Sequence, residues 1–177
     1  MKNLLIIGDG VRPTGFSRVL HSIAQYIPKN KYNISWLAVN YNGDPHNYPY
    51  RIYPAQGRGN IYGFNRIKEF ADREIDLIFM LNDAWVLDTY LNEIKSNFKK
   101  VPPIVVYIPV DAKDHSMEWY KNFDIVNFVV AYTYFGKKVI KKAMPTLEVS
   151  IIPHGVDSNI FYKISDDKEK LKRDVFP

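Results

Sequence analysis

Six short apolar runs recur along the chain, at residues 4–8, 34–39, 75–81, 104–108, 125–130 and 149–152, and most are followed by a stretch with helical periodicity. Several runs are apolar at consecutive positions. A strand with one solvated face would alternate, so these strands need cover on both sides. The pattern predicts an α/β domain: a mostly parallel sheet with helices on both faces. With 177 residues, 46% apolar and 24% charged, the chain has material for one compact core and resembles neither a disordered tail nor a coiled coil.

The first helix is the most sharply drawn segment. Phe16, Val19, Leu20, Ile23, Ala24 and Ile27 follow the i, i+3, i+4, i+7, i+8, i+11 series, with Arg18, His21, Ser22 and Gln25 elsewhere on the circumference. Thr14 or Ser17 can cap it and Pro28 stops it. Further helices are expected at 64–73, 85–98, 115–121 and 134–143. Lys137, Lys138, Lys141 and Lys142 crowd the last of these, as a solvated face with a favourable C-terminal charge. Between residues 40 and 66, Asn, Gly, Pro and Tyr dominate, which predicts long loops around one short strand at 50–53 and a mobile or ligand-facing surface.

Composition excludes several chemistries. There is no cysteine, hence no disulfide framework, no Cys-based metal site and no thiol nucleophile. The four histidines, at 21, 46, 115 and 154, lack a close ligand spacing, so no metal is expected. No G-x-S-x-G elbow supports acyl transfer. Gly8-Asp9-Gly10 interrupts the first apolar run too early for a signal peptide or a membrane span. The expectation is a cytoplasmic protein without a transmembrane segment. The net charge of +5 is modest and accompanies no recognised nucleic-acid motif, so no nucleic-acid partner is expected.

Candidate site residues cluster where strands give way to loops. Gly8-Asp-Gly-Val-Arg-Pro-Thr-Gly15 joins the first strand to the first helix, where backbone N–H groups can face a phosphate or carboxylate. Its spacing is not the dinucleotide fingerprint, Asn40 stands where that fingerprint needs an acid, and the Gly-Lys-Ser/Thr of a P-loop is absent. A crossover without ligand is the other reading. Asn82 and Asp83 follow the run at 75–81; they either meet sugar hydroxyls or cap the next helix. Asp111 follows the run at 104–108, where a carboxylate can orient a hydroxyl, accept its proton or offset positive charge, or else cap a helix. His115 reads as an exposed helix-start residue. In the segment 149–161, a strand ends at Pro153, Gly155 permits a sharp turn, Asp157 caps a short turn and Phe161 packs back.

That last segment, Ile-Ile-Pro-His154-Gly155-Val-Asp157-Ser-Asn-Ile-Phe, resembles the I-P-N-G-V-D-x-x-x-F motif that closes the N-terminal domain in the retaining glycosyltransferase family 4, of GT-B architecture. Thr14-Gly-Phe-Ser-Arg-Val after the first loop, Ile-Asp-Leu-Ile leading to Asn82-Asp83, and Asp124-Ile-Val fall in register with that family, so the resemblance spans residues 1 to about 163. It implies a Rossmann-like domain at 1–163 that receives the acceptor. Residues 164–177 would then be an interdomain linker or the start of a C-terminal Rossmann-like domain that holds most of the donor. The charged stretch 166–174, capped by Ser165 or Asp166 and with little apolar face, fits such a connection. Without the second half, these residues are expected to lack efficient activity.

By position, the resemblance places Gly15 and Phe16 near the donor diphosphate or the acceptor. Asp111 stands in the region where the family often has a histidine against the transferred sugar, and His154 where it usually has asparagine. Arg12 or Arg18 would add to the field on the leaving diphosphate. The implied reaction moves a glycosyl unit from a nucleotide sugar to a hydroxyl of a glycan or other acceptor. Configuration is retained, without a tightly bound cofactor, and two flanking carboxylates of the hydrolytic kind are not needed. Two alternatives stand beside it. One is another Rossmann-like nucleotide-sugar enzyme, such as an epimerase, or an oxidoreductase. The other is a stand-alone carbohydrate-binding or protein-interaction module using some of the 13 tyrosines and three tryptophans as platforms.

Overall fold

The computed structural model describes residues 1–57, 60–163 and 167–175. Seven strands form one sheet: β1 (Lys2–Asp9), β2 (Tyr32–Val39), β3 (Arg51–Pro54), β4 (Leu77–Leu81), β5 (Ile104–Ile108), β6 (Phe128–Ala131) and β7 (Val149–Ile151). Their order is β3-β2-β1-β4-β5-β6-β7, and every neighbouring pair is parallel. The chain winds outward from β1 to β3, then returns to lay β4 on the other side of β1. This creates a topological switch point between β1 and β4, where loops diverge and leave a crevice. The fold is α/β and Rossmann-like, as expected.

Strand alternation sorts the core into two layers. On β1, Leu5 and Ile7 face a cluster that includes Ile78, Met80, Val106, Leu87, Leu91 and Ile94, so α2 (Ala84–Asn97) covers that side, with Ile140 from α3 (Tyr134–Ala143). Leu4 and Ile6 face the opposite cluster with Trp36, Ala38, Leu20 and Ala24, covered by α1 (Gly15–Ala24). Beyond the reach of α1, Phe128 on β6 remains 62% exposed.

Local hydrogen bonding moved several expected boundaries. Thr14, not Ser17, caps α1: its Oγ1 accepts the Ser17 amide at 3.1 Å. The helix ends at Ala24 because Tyr26 and Ile27 tighten into i−3 bonds to Ile23 and Ala24. The expected helices at 64–73 and 115–121 are shorter 3₁₀ turns, Phe64–Phe70 and Met117–Tyr120. The apolar run at 125–130 divides between a 3₁₀ turn at Phe123–Ile125 and β6.

The corner at 152–161 differs more. Gly155 is not in the left-handed region and a Cβ there would meet nothing within 4 Å. Phe161 is 58% exposed rather than packed back. Asp157 does organise the turn, its carboxylate accepting the Asn159 amide at 2.9 Å. The helix α4 (Lys168–Val175) is capped by Asp167, which accepts the Glu169 and Lys170 amides at 2.8 and 2.9 Å. Ser165 and Asp166, the expected caps, lie outside the described residues. Among the described residues no helix is long and apolar enough to cross a membrane.

Candidate functional site

The loops after β1, β4 and β5 emerge side by side at the carboxyl edge of the sheet. Sterics fix the first. At Gly8 (φ +154°) a Cβ would stand 2.7 Å from the Leu81 carbonyl oxygen, and at Gly10 it would stand 2.7 Å from the Ala38 Cβ. The Trp36 Nε1–H donates to the Gly8 carbonyl at 3.0 Å from beneath. The glycines therefore let the backbone press against β2 and β4.

Between them lies Asp9, buried at 4% exposure, a residue that sequence reasoning missed. It is the last residue of β1, and its Oδ2 accepts the Thr14 hydroxyl at 2.6 Å. Burial pushes its carboxyl up from the ordinary value, against the hydrogen bonds from the Thr14 and Asn40 side chains. Its signal was an acid between two glycines at the end of the innermost strand. At the start of α1, the amides of Gly15 and Phe16 have no acceptor among the described residues, and open space surrounds Gly15. They point the positive end of the helix toward the crevice.

After β4 the structure separates two roles. Asn82 is buried, and its Oδ1 accepts the Asp83 amide at 2.9 Å, so it braces the turn. Asp83 occupies the cap position of α2, but its carboxylate makes no cap bond and no ion pair among the described residues. Partial desolvation raises that carboxyl first, repulsion from Asp111 and Asp9 adds to the rise, and His115 opposes it. Asp83, Asp111, Asp9 and His115 thus share one electrostatic neighbourhood.

After β5, Asp111 is exposed and caps nothing; Ser116 caps the following turn, accepting the Glu118 amide at 3.2 Å. His115 departs from the exposed residue expected. It is half-buried, with Nδ1 2.6 Å from the Tyr120 hydroxyl and its ring edge-on to Trp119 at 4.9 Å. Burial lowers its pKa against the pull of Asp111 and Asp83. Next along the edge, the His154 ring lies 4.0 Å from that of Tyr132 and 5.6 Å from that of Tyr107, whose hydroxyl donates to the Ile152 carbonyl at 2.8 Å.

The structure therefore brings Gly15, Phe16, Asn82, Asp83 and Asp111 to one edge, with His154 continuing the line. Gly155 and Asp157 belong to the exposed corner beyond it. Arg18 lines a groove along α1, and Arg12 is tied back to Asp44 at 3.5 Å and to the Asn40 carbonyl at 3.4 Å. Among the described residues no cluster of three or more His, Asp or Glu side chains could hold a metal ion.

No protein-family profile matches the chain, and no curated protein does. Its fold is similar to solved structures of an α-glucosyltransferase. One is in complex with UDP and a 13-mer DNA containing an HMU base, at 14% identity and TM-score 0.51, covering 85% of this chain and 41% of that one. A second, in complex with UDP, is 13% identical with TM-score 0.52, covering 85% and 43%. A third carries UDP and a 13-mer DNA with a central A:G mismatch, at 14% identity and TM-score 0.50, covering 85% and 40%. The chain spans about two fifths of the length of these proteins, and its sheet matches a GT-B glycosyltransferase domain. The expectation that nucleic acid plays no part is corrected here. The same architecture has been solved on DNA, so a modest net charge and a missing motif are no ground for that exclusion.

Proposed function

We propose that this chain is the acceptor-side domain of a glycosyltransferase that moves a sugar from a nucleotide-sugar donor to an acceptor hydroxyl with retention, as in the family its closing motif resembles. One observation carries the reading. Unpaired amide donors at Gly15 and Phe16 and unpaired carboxylates at Asp83 and Asp111 sit on loops of adjacent strands beside the switch point.

The two charge types suit the two ends of the reaction. Amides at a helix start favour the diphosphate, whose negative charge grows as the bond from the anomeric carbon to the phosphate oxygen breaks. Carboxylates on the neighbouring loops orient the acceptor hydroxyl, whose oxygen bonds to that carbon. Its proton passes to the leaving phosphate oxygen or to Asp111. Thr14, held by Asp9, fixes the loop that presents the amides. Residues 1–163 would form this domain, and 164–177 would lead to a second Rossmann-like domain with most of the donor contacts. The enzyme proposed here is cytoplasmic, like the pool of a soluble nucleotide-sugar donor. The acceptor is a glycan or a nucleic acid, the latter supported by the DNA complexes of the structural neighbours.

Titration of the 177-residue chain with UDP- and GDP-sugars tests the division of labour: weak binding is expected, and micromolar affinity would contradict it. For the full-length protein, sugar-dependent release of the nucleoside diphosphate is the expected activity, and its absence with every common donor would end the proposal.

A further inference from the structure

A groove of about 610 Å³ runs along the outer side of α1, between that helix and the loop that follows β2. Gly15 lies at one end, at the carboxyl edge of the sheet, and Gln25 at the other, about 15 Å away at 1.5 Å per residue. Among the described residues one Lys or Arg, Arg18, lines it and no acid does. Arg18 is exposed and has no carboxylate within ion-pair distance among the described residues.

Opposite α1 the groove is lined by Tyr48. Tyr48, 39% exposed, stacks on His21 with centroids 3.9 Å apart and planes 18° apart. His21 is pinned from behind: its Nε2–H donates to the Gly10 carbonyl at 2.5 Å and its ring lies 4.7 Å from Trp36. The Tyr48 ring thus rests on a braced support. Such a platform accepts a planar ring at little ordering cost.

We propose that this groove binds a single strand of nucleic acid, with a phosphate on Arg18 and a base on Tyr48, and feeds a hydroxyl of that strand to the edge at Gly15. The proposal rests on the acceptor-side reading only for what the groove delivers; the binding stands by itself. Charge selects this occupant. Among the described residues the groove is lined by the Arg18 guanidinium and by no carboxylate, which suits the negative charge of a phosphodiester. A neutral glycan would stack on Tyr48 equally well but leave Arg18 without a partner.

Fluorescence anisotropy with a short labelled oligothymidylate at low salt tests this. The intact protein is expected to bind, with log affinity falling linearly in log salt. Arg18→Ala weakens binding and lowers the salt slope by about one. Tyr48→Ala weakens it roughly five-fold or more at an unchanged slope. Arg18 is exposed, so its variant keeps the parent melting curve; Tyr48→Ala gives up the stack on His21 and is compared below its own melting temperature, which circular dichroism fixes. Lys137→Ala, on α3, serves as a distant control. No binding by the intact protein overturns the proposal, as does parent-like affinity in both groove variants, a loss confined to Lys137→Ala, or equal competition by a neutral maltooligosaccharide. Donor hydrolysis by the full-length protein, measured in the same variants, separates the two readings. Retained hydrolysis with no strand binding removes only the groove, and strand binding with no donor turnover removes only the transferase.

Discussion

The Thr14 hydroxyl donates to the buried Asp9 carboxylate at 2.6 Å while the same oxygen accepts the Ser17 amide at 3.1 Å. One side chain therefore ties the end of β1 to the first turn of α1 and fixes the direction of the free amides. Thr14→Val keeps the volume but removes both bonds. It is expected to lower stability by about 1–2 kcal/mol in chemical denaturation, and Thr14→Ser should recover most of that.

Asp9 itself is held at a cost, because burial raises its carboxyl above the ordinary value. An acid raised in the folded state is penalised while ionised and relieved once protonated. Asp9→Asn is thus expected to be at least as stable as the parent at neutral pH, and the difference should close as pH falls through the folded carboxyl's range. A parent protein more stable than Asp9→Asn at pH 7 would contradict this.

Glycine is required near the end of β1 and dispensable at the corner after β7. Gly8→Ala would drive its Cβ against the Leu81 carbonyl at a backbone angle of +154°, and a loss of about 1–3 kcal/mol is expected. Gly155→Ala meets nothing and should stay within about 0.5 kcal/mol of the parent. Melting temperatures of the pair provide the comparison.

Three imidazoles should make the fold acid-sensitive. Burial lowers His21, His115 and His154, so the folded state prefers each one neutral. As pH drops below about 6.5, the unfolded chain takes up protons first, and stability present above that pH is lost. Thermal melts between pH 8 and pH 5 should show the decline, and His115→Gln should flatten part of it.

Under the proposed transferase activity, kinetics of the full-length protein would distinguish the two carboxylates. Asp111→Asn is expected to reduce turnover by about a hundredfold or more if it takes the acceptor proton, and Asp83→Asn to raise the acceptor KM. Neither should change the melting curve, since both are exposed. Unchanged kinetics in Asp111→Asn would remove that residue from the site.

The sequence alone specified the parts decided by short-range patterning. Consecutive apolar residues in β1, β4 and β5 announced strands covered on both faces, and the stripe from Phe16 to Ala24 announced α1, because burial periodicity is written locally. The placement of Gly15, Asn82, Asp83 and Asp111 at strand ends was legible for the same reason, once the strands were assumed parallel. What tertiary structure decided was which of these groups remain free. Asn82 spends its oxygen on a backbone amide, whereas the Asp83 carboxylate, at the cap position, makes no cap bond. His115 left the surface for Tyr120, and Asp9 was buried with partners at Thr14 and Asn40. Each outcome depends on atoms brought together across strand crossings, and side-chain hydrogen bonds and desolvation at that range leave no periodic trace in the chain.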